Sequence, residues 1–418
     1  IIMAKISPFK GWRYNEDNIN LFEDVIVPPY DVITCEEQEE YYNKSPYNYI
    51  RINLNNTKGE EKYVSAANTL NMWIGSGILV EEHKPAIYIL SQSFLVDDAR
   101  VERISCICAL TLSELGDDVL AHEQTIDKHL DDRYKLMSST YANSGQIFMS
   151  YKDQKMILEE LHRNLKNDPS MEANLDGVYY KLWPITDTDS INEFVVSLED
   201  KKLVIADGHH RYKTALKYSK NHEGAQSEKV MVTLVNSENP GMQILPTHRI
   251  VKKSDINIKE IRKRVSKNFK YKEYDGAEKL LINMEKFKTD KGFLGLFHKP
   301  SNIGLLLEFN AWELLKNDKE DKIKALDELD TNILHQFLLK DTFGIDTNNQ
   351  EDLENLAYLR GNNSPLEMLA KEEYDIVCFV NPPSLDDVFT IAESGEVMPQ
   401  KSTFFFPKVY SGLVTRNF

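Results

Sequence analysis

Cysteine is scarce in this chain, and a long apolar run and a surplus of positive charge are both missing. The four cysteines, Cys35, Cys106, Cys108 and Cys378, are too few for a disulfide scaffold in 418 residues. Cys106 and Cys108 form a C-x-C whose side chains share one face of a strand, with no second pair to complete a zinc site. Buried free thiols in a reducing cytoplasm are the expectation. No segment approaches the ~20 apolar residues of a membrane span. The first residues, I-I-M-A-K-I-S-P-F-K, lack the basic region and apolar core of a signal peptide, which again points to the cytoplasm. Lys and Arg number 50 against 66 Asp and Glu, a net charge of −16, which disfavours nucleic acid and anionic membrane as partners. Internal repeats and low-complexity linkers are absent too.

What is present is an ordinary globular composition, 41% apolar and 28% charged, on a chain long enough for two cores. Its most informative stretch is K-K-L-V-I-A-D-G-H-H-R-Y-K-T-A-L-K-Y, residues 201–218. Leu203 to Ala206 read as a buried strand, and Asp207-Gly208 break it. From His209 the pattern is helical, with Tyr212, Ala215, Leu216 and Ser219 on one face. Asp207 is the expected N-cap, and Gly208 permits a sharp turn. His209, His210 and Arg211 then occupy a first helical turn, where unpaired N–H groups and the helix dipole favour an anion. Two adjacent histidines are also an ordinary surface arrangement, so an anion site and a solvated helix start both stay open.

Elsewhere, the spacing predicts helices over 35–45 and 58–77, and strands over 86–95 and 103–112 joined by a turn at Asp97-Asp98. V-P-P-Y-D-V-I at 27–33 is a rigid loop that presents Tyr30 and Asp31. A short strand precedes His122-Glu123, a candidate acid–base pair, and the polar run that ends in Asp131-Asp132-Arg133. Strands are expected at 145–149, 177–184, 229–235 and 242–251, the last interrupted by Pro246 so that His248 and Arg249 are re-aimed. Helices at 254–290, a hairpin at 292–309, helices at 322–341 and 364–370, and a buried strand at 376–380 follow. Near the end, Lys401, Ser402, Thr403 and Lys408 surround a Phe-Phe-Phe strand, as a phosphate pocket or as lysine gatekeepers.

Seven of these stretches together resemble one family: P-F-K-G-W-R-Y-N, P-P-Y-D-V-I, A-H-E-Q-T, D-D-R, A-D-G-H-H-R-Y-K-T-A-L, L-P-T-H-R and M-P-Q-K-S-T-F-F-F-P-K. It is the family catalogued as domain of unknown function 1015, and the likeness runs from Met3 over nearly the whole chain. The A-D-G-H-H-R stretch also resembles the signature loop of the ParB/sulfiredoxin superfamily, above all its free-serine kinases. That resemblance implies phosphate binding by Gly208, His209, His210 and Arg211, with Asp207 beside magnesium or the acceptor. It also implies that Glu123 of the His122-Glu123 pair is a general base. His209 stands where the sulfiredoxin thiol would be, which argues against that chemistry.

The expected fold is α+β with mixed sheets, a ParB/sulfiredoxin-like core near 119–250 being elaborated by extra strands and helices. Residues 3–260 would form the motif-bearing domain and 261–418 a C-terminal α/β region. The expected function is nucleotide-dependent phosphoryl transfer, or related phosphate-ester chemistry, on a small hydroxylated, serine-like metabolite, with ATP or ADP and Mg2+ as cofactors. Glu123, Asp207 and His209 would be catalytic, and Gly208, His210, Arg211, His122, His248, Arg249 and Lys401 would hold the cofactor. These residues are expected to line one pocket. A non-catalytic nucleotide- or metabolite-binding regulator is the alternative. A metal hydrolase using His209, His210, His122 or His248 is the third reading, weakened because adjacent histidines need a further ligand from another element.

Overall fold

The computed structural model describes residues 4–96, 98–123, 130–252, 254–316, 324–349, 352–361, 364–370 and 373–418. Two units emerge: Ile1–Ala121, Thr125–Gln243 and Pro407–Phe418 form the first, and His122–Gln124 with Ile244–Phe406 form the second. No helix among the described residues is long and apolar enough to cross a membrane. Gln124 and Thr125 of the A-H-E-Q-T stretch lie outside the described residues.

The first unit is built on a nine-stranded sheet. Its strands are β1 (Ile87–Val96), β2 (Ala99–Thr111), β3 (Val119–Ala121), β4 (Ile147–Tyr151), β5 (Met171–Leu175), β6 (Val178–Ile185), β7 (Leu203–Asp207) and β8 (Lys229–Asn236), with Ile6–Ser7 pairing beside β2. Their order is β3-β7-β4-β8-β2-β1-β6-β5. β7 runs parallel to β3, and β8 parallel to β4, while the other pairs are antiparallel. This is the mixed sheet of an α+β fold. Central strands are buried on both faces, so β4 and β8 read as nearly continuous apolar runs. Cys106 and Cys108 point into the same core, with Ile205, Tyr212 and Val232. Both are free thiols, as is the buried Cys378, but Cys35 is exposed: it opens a helix, Cys35–Lys44, of which no residue is buried.

The second unit holds a six-stranded antiparallel sheet. Its strands β9 (His248–Val251), β10 (Phe269–Asp275), β11 (Phe293–His298), β12 (Ile303–Phe309), β13 (Leu356–Leu359) and β14 (Ile376–Val380) lie in the order β10-β12-β11-β14-β9-β13. Alternation divides each strand between two cores: Ile376, Cys378 and Val380 of β14 enter one, Val377 and Phe379 the other. Because β9 pairs with β13 and β14, the division falls after Gln243, ahead of the expected 260. The segment from Pro407 onward returns to the first unit.

Candidate functional site

The site of the first unit is made at the end of β7. The register against β4 shifts between Ile205 and Asp207, so the strand's last residue leaves the regular ladder. Gly208 follows at φ 97°, a left-handed conformation that a Cβ would strain, and that Cβ would lie 3.0 Å from the guanidinium carbon of Arg211. Helix α1 (His209–Asn221) starts there, and its Tyr212 N–H donates to the Gly208 carbonyl at 3.0 Å. Gly208, rather than Asp207, is therefore the N-cap, and no side chain caps the helix. The apolar face anchors α1 through buried Tyr212, Ala215 and Tyr218.

The Asp207 carboxylate has a different task. Its Oδ2 accepts from Nη2 of Arg211 at 2.5 Å, and its Oδ1 accepts from Nζ of Lys408 at 2.9 Å. All three side chains are mostly buried, with exposures of 20% for Asp207, 15% for Arg211 and 13% for Lys408. Burial alone would raise the Asp207 carboxyl, but Lys408 and Arg211 outweigh it and hold the group well below the usual carboxylate range. A carboxylate with a cation on each oxygen is built to position cations. It does not suit a magnesium ion, which would have to displace one of them. Among the described residues, no three His, Cys, Asp or Glu side chains gather in a way that could hold a metal.

Arg211 also donates through Nη1 to the Gln146 carbonyl. Beneath it opens a narrow cleft whose cavity volume is about 30 Å³. Tyr30, Arg133, Gly145 and Ser411 line it together with Arg211. Tyr30 sits in a 3-10 turn after Pro28-Pro29, and the Arg133 guanidinium stacks over its ring at 4.0 Å. Arg133 extends from a helix, Leu130–Thr140, and is held by Asp132 (2.8 and 2.5 Å) and the Asn53 carbonyl (2.8 Å).

The other expected site residues belong to the second unit. Glu123 bridges to Met398 in a parallel β-bridge, and its Oε1 accepts from the Lys401 N–H at 3.2 Å. Nε2 of His122 lies 2.9 Å from the Thr403 hydroxyl, and its ring meets Phe405 edge-on. Lys401 has φ 59°, unusual for a residue with a side chain. Its carbonyl accepts from Nη2 of Arg249 at 3.1 Å. Arg249 is fully buried, donates further to the Thr247 carbonyl and stacks on Tyr358. His248 is buried as well. Its Nδ1 accepts from the Val380 N–H at 3.2 Å, and burial, helped by Arg249, pushes it down to about 3. So His122, Glu123, Arg249 and Lys401 do gather, within the second unit, while Asp207 to Arg211 gather with Lys408 in the first. Arg133 was visible in the D-D-R triplet and Tyr30 in the proline-set loop, but neither was assigned to a site, and Gly145 and Ser411 carry no local signal.

A profile of the family described as "Protein of unknown function (DUF1015)" matches residues 6–332. No curated protein matches the chain. Solved structures similar to it include a mutant free serine kinase in complex with ADP, at 14% identity and TM-score 0.37, covering 69% of this chain and 84% of that one. A conserved hypothetical protein from Pyrococcus furiosus is similar at 14% identity and TM-score 0.35, over 70% and 89% of the two chains. SbnI with a C-terminal truncation, from Staphylococcus aureus, stands at 9% identity and TM-score 0.33, over 72% and 79%.

Proposed function

Since this chain belongs to the family described as "Protein of unknown function (DUF1015)", a description that states no activity, we propose from its own residues that it is a nucleotide-dependent phosphotransferase acting on a small hydroxylated, serine-like metabolite. The observation that carries the reading is the Asp207 carboxylate holding Arg211 and Lys408 at the start of an uncapped helix. Two fixed cations and the N–H groups of a first helical turn suit the phosphates of ATP or ADP. In the transfer, the acceptor oxygen forms a bond to the terminal phosphorus while the bond to the leaving phosphate oxygen breaks. Charge on the leaving group is met by Arg211 and Lys408, which Asp207 keeps from reorganising. His209 and His210 add donors on the same turn. The proton of the acceptor hydroxyl passes to water as the new phosphorus–oxygen bond forms.

Calorimetric titration with ADP tests the phosphate site. Arg211→Ala and Lys408→Met should each weaken binding tenfold or more while the fold is kept, as judged by circular dichroism. Unchanged affinity in both variants would remove the phosphate site from this helix.

A further inference from the structure

We propose that the cleft beneath Arg211 is a carboxylate-binding subsite, in which Tyr30, Arg133 and Arg211 receive the acid group of a small hydroxy or amino acid. That this molecule is the phosphoryl acceptor rests on the reading above; that it binds does not.

Two arginines line the cleft and, among the described residues, none that lines it is acidic. Asp132 and Asp207 hold the guanidinium groups but are not among the residues that line it. Arg133 spends three of its five N–H groups on Asp132 and Asn53, and Arg211 spends two on Asp207 and Gln146, so each keeps donors. Arg133 is 8% exposed, and a guanidinium so placed recognises a planar carboxylate through paired N–H groups. Tyr30 lines the same cleft, its ring under the Arg133 guanidinium at 4.0 Å. Leu136, Met137, Ile147 and Val230 supply an apolar floor, which keeps water from competing for the two cations.

Gly145 keeps the space open. A Cβ there would sit 3.2 Å from the Ser411 hydroxyl and 3.7 Å from Nη1 of Arg211. Three distant stretches, P-P-Y-D, D-D-R and G-H-H-R, thus deliver one side chain each to a recess of about 30 Å³, room for about two waters or for the carboxylate group that would replace them, with the rest of the ligand outside.

The test is calorimetric titration of the full chain with L-serine and D-glycerate, and with L-serinamide and glycerol, which lack the carboxylate; inorganic phosphate serves as competitor. The two acids should bind at least tenfold more tightly than the two neutral compounds. Arg133→Gln and Gly145→Ala, each shown folded by its melting temperature, should lose that preference yet bind ADP within threefold of the parent. Acids and neutral compounds binding alike, or not at all, would overturn the proposal. So would a preference that survives in either folded variant, or phosphate displacing serine at equal affinity, which would make the cleft a general anion site. Acid binding without ADP binding would instead sink the phosphotransferase reading and leave this subsite standing.

Discussion

Asp207 shows how much one side chain can decide. Its residue type was legible in the sequence as a strand-ending acid, but its partner Lys408 stands 201 positions away and no local pattern announces the pair. Replacing it by asparagine leaves Arg211 and Lys408 mostly buried with their charge unopposed, at a cost of up to about 3–5 kcal/mol. The pH dependence has a definite sign. Because the folded carboxyl is held below its unfolded value of about 3.9, its contribution is complete above that pH and fades as pH falls toward the folded value. Urea unfolding at pH 7 should therefore separate parent from Asp207→Asn clearly, and at pH 3 the gap should narrow. A gap of equal size at both would mean the ion pairs carry none of it.

At the scale of elements, the regular pieces were readable where burial was two-sided. The buried strand expected at 376–380 is β14 without a shift, because an apolar run between turn residues has few other uses. β10 was hidden inside an expected helical stretch. It is an edge strand with only Phe269 buried, and its Lys270, Lys272 and Glu273 look helical in composition while serving to blunt the edge. Of the helix expected at 322–341, residues 322–323 lie outside the described residues and 325–328 form a turn; the helix runs from Asp330, and Leu334–Phe343 is wound as a π-helix, which residue periodicity does not distinguish. That winding carries His335, whose Nε2 lies 3.1 Å from Nη2 of Arg249 and whose Nδ1 lies 3.3 Å from the Thr347 hydroxyl. Arginine only donates, so Nε2 is the acceptor and Nδ1 bears the proton. Burial, with Arg249 beside it, pushes His335 down to about 3, so the ring stays neutral. His335→Phe should cost about 1–3 kcal/mol, by leaving a buried guanidinium short of an acceptor. His335→Gln, which supplies an oxygen, should recover part of it. Thermal melts check this, and a phenylalanine variant as stable as the parent would show that the contact carries no weight.

Across the whole molecule, length led to an expectation of two domains meeting near residue 260; the two compact units divide after Gln243, where strand pairing decides. β9 is claimed by β13 and β14, and the returning segment after Pro407 is claimed by the first unit, neither of which a change in local charge density reveals. The expected site residues divide in the same way. Gly208, His209, His210 and Arg211 belong with Asp207, whereas His122, Glu123, His248, Arg249 and Lys401 belong to the second unit. Glu123, the expected base, is held in the second unit. The Met398 N–H donates to the His122 carbonyl at 2.7 Å, and the Glu123 carboxylate accepts from the Lys401 N–H at 3.2 Å. The central claim is tested most directly by phosphorus NMR of the purified chain incubated with ATP or ADP, magnesium and L-serine or D-glycerate. A new phosphomonoester resonance is expected, absent with Arg211→Ala. Tight nucleotide binding with no phosphomonoester from either donor and either acceptor would contradict it, and would make the protein a nucleotide-binding regulator.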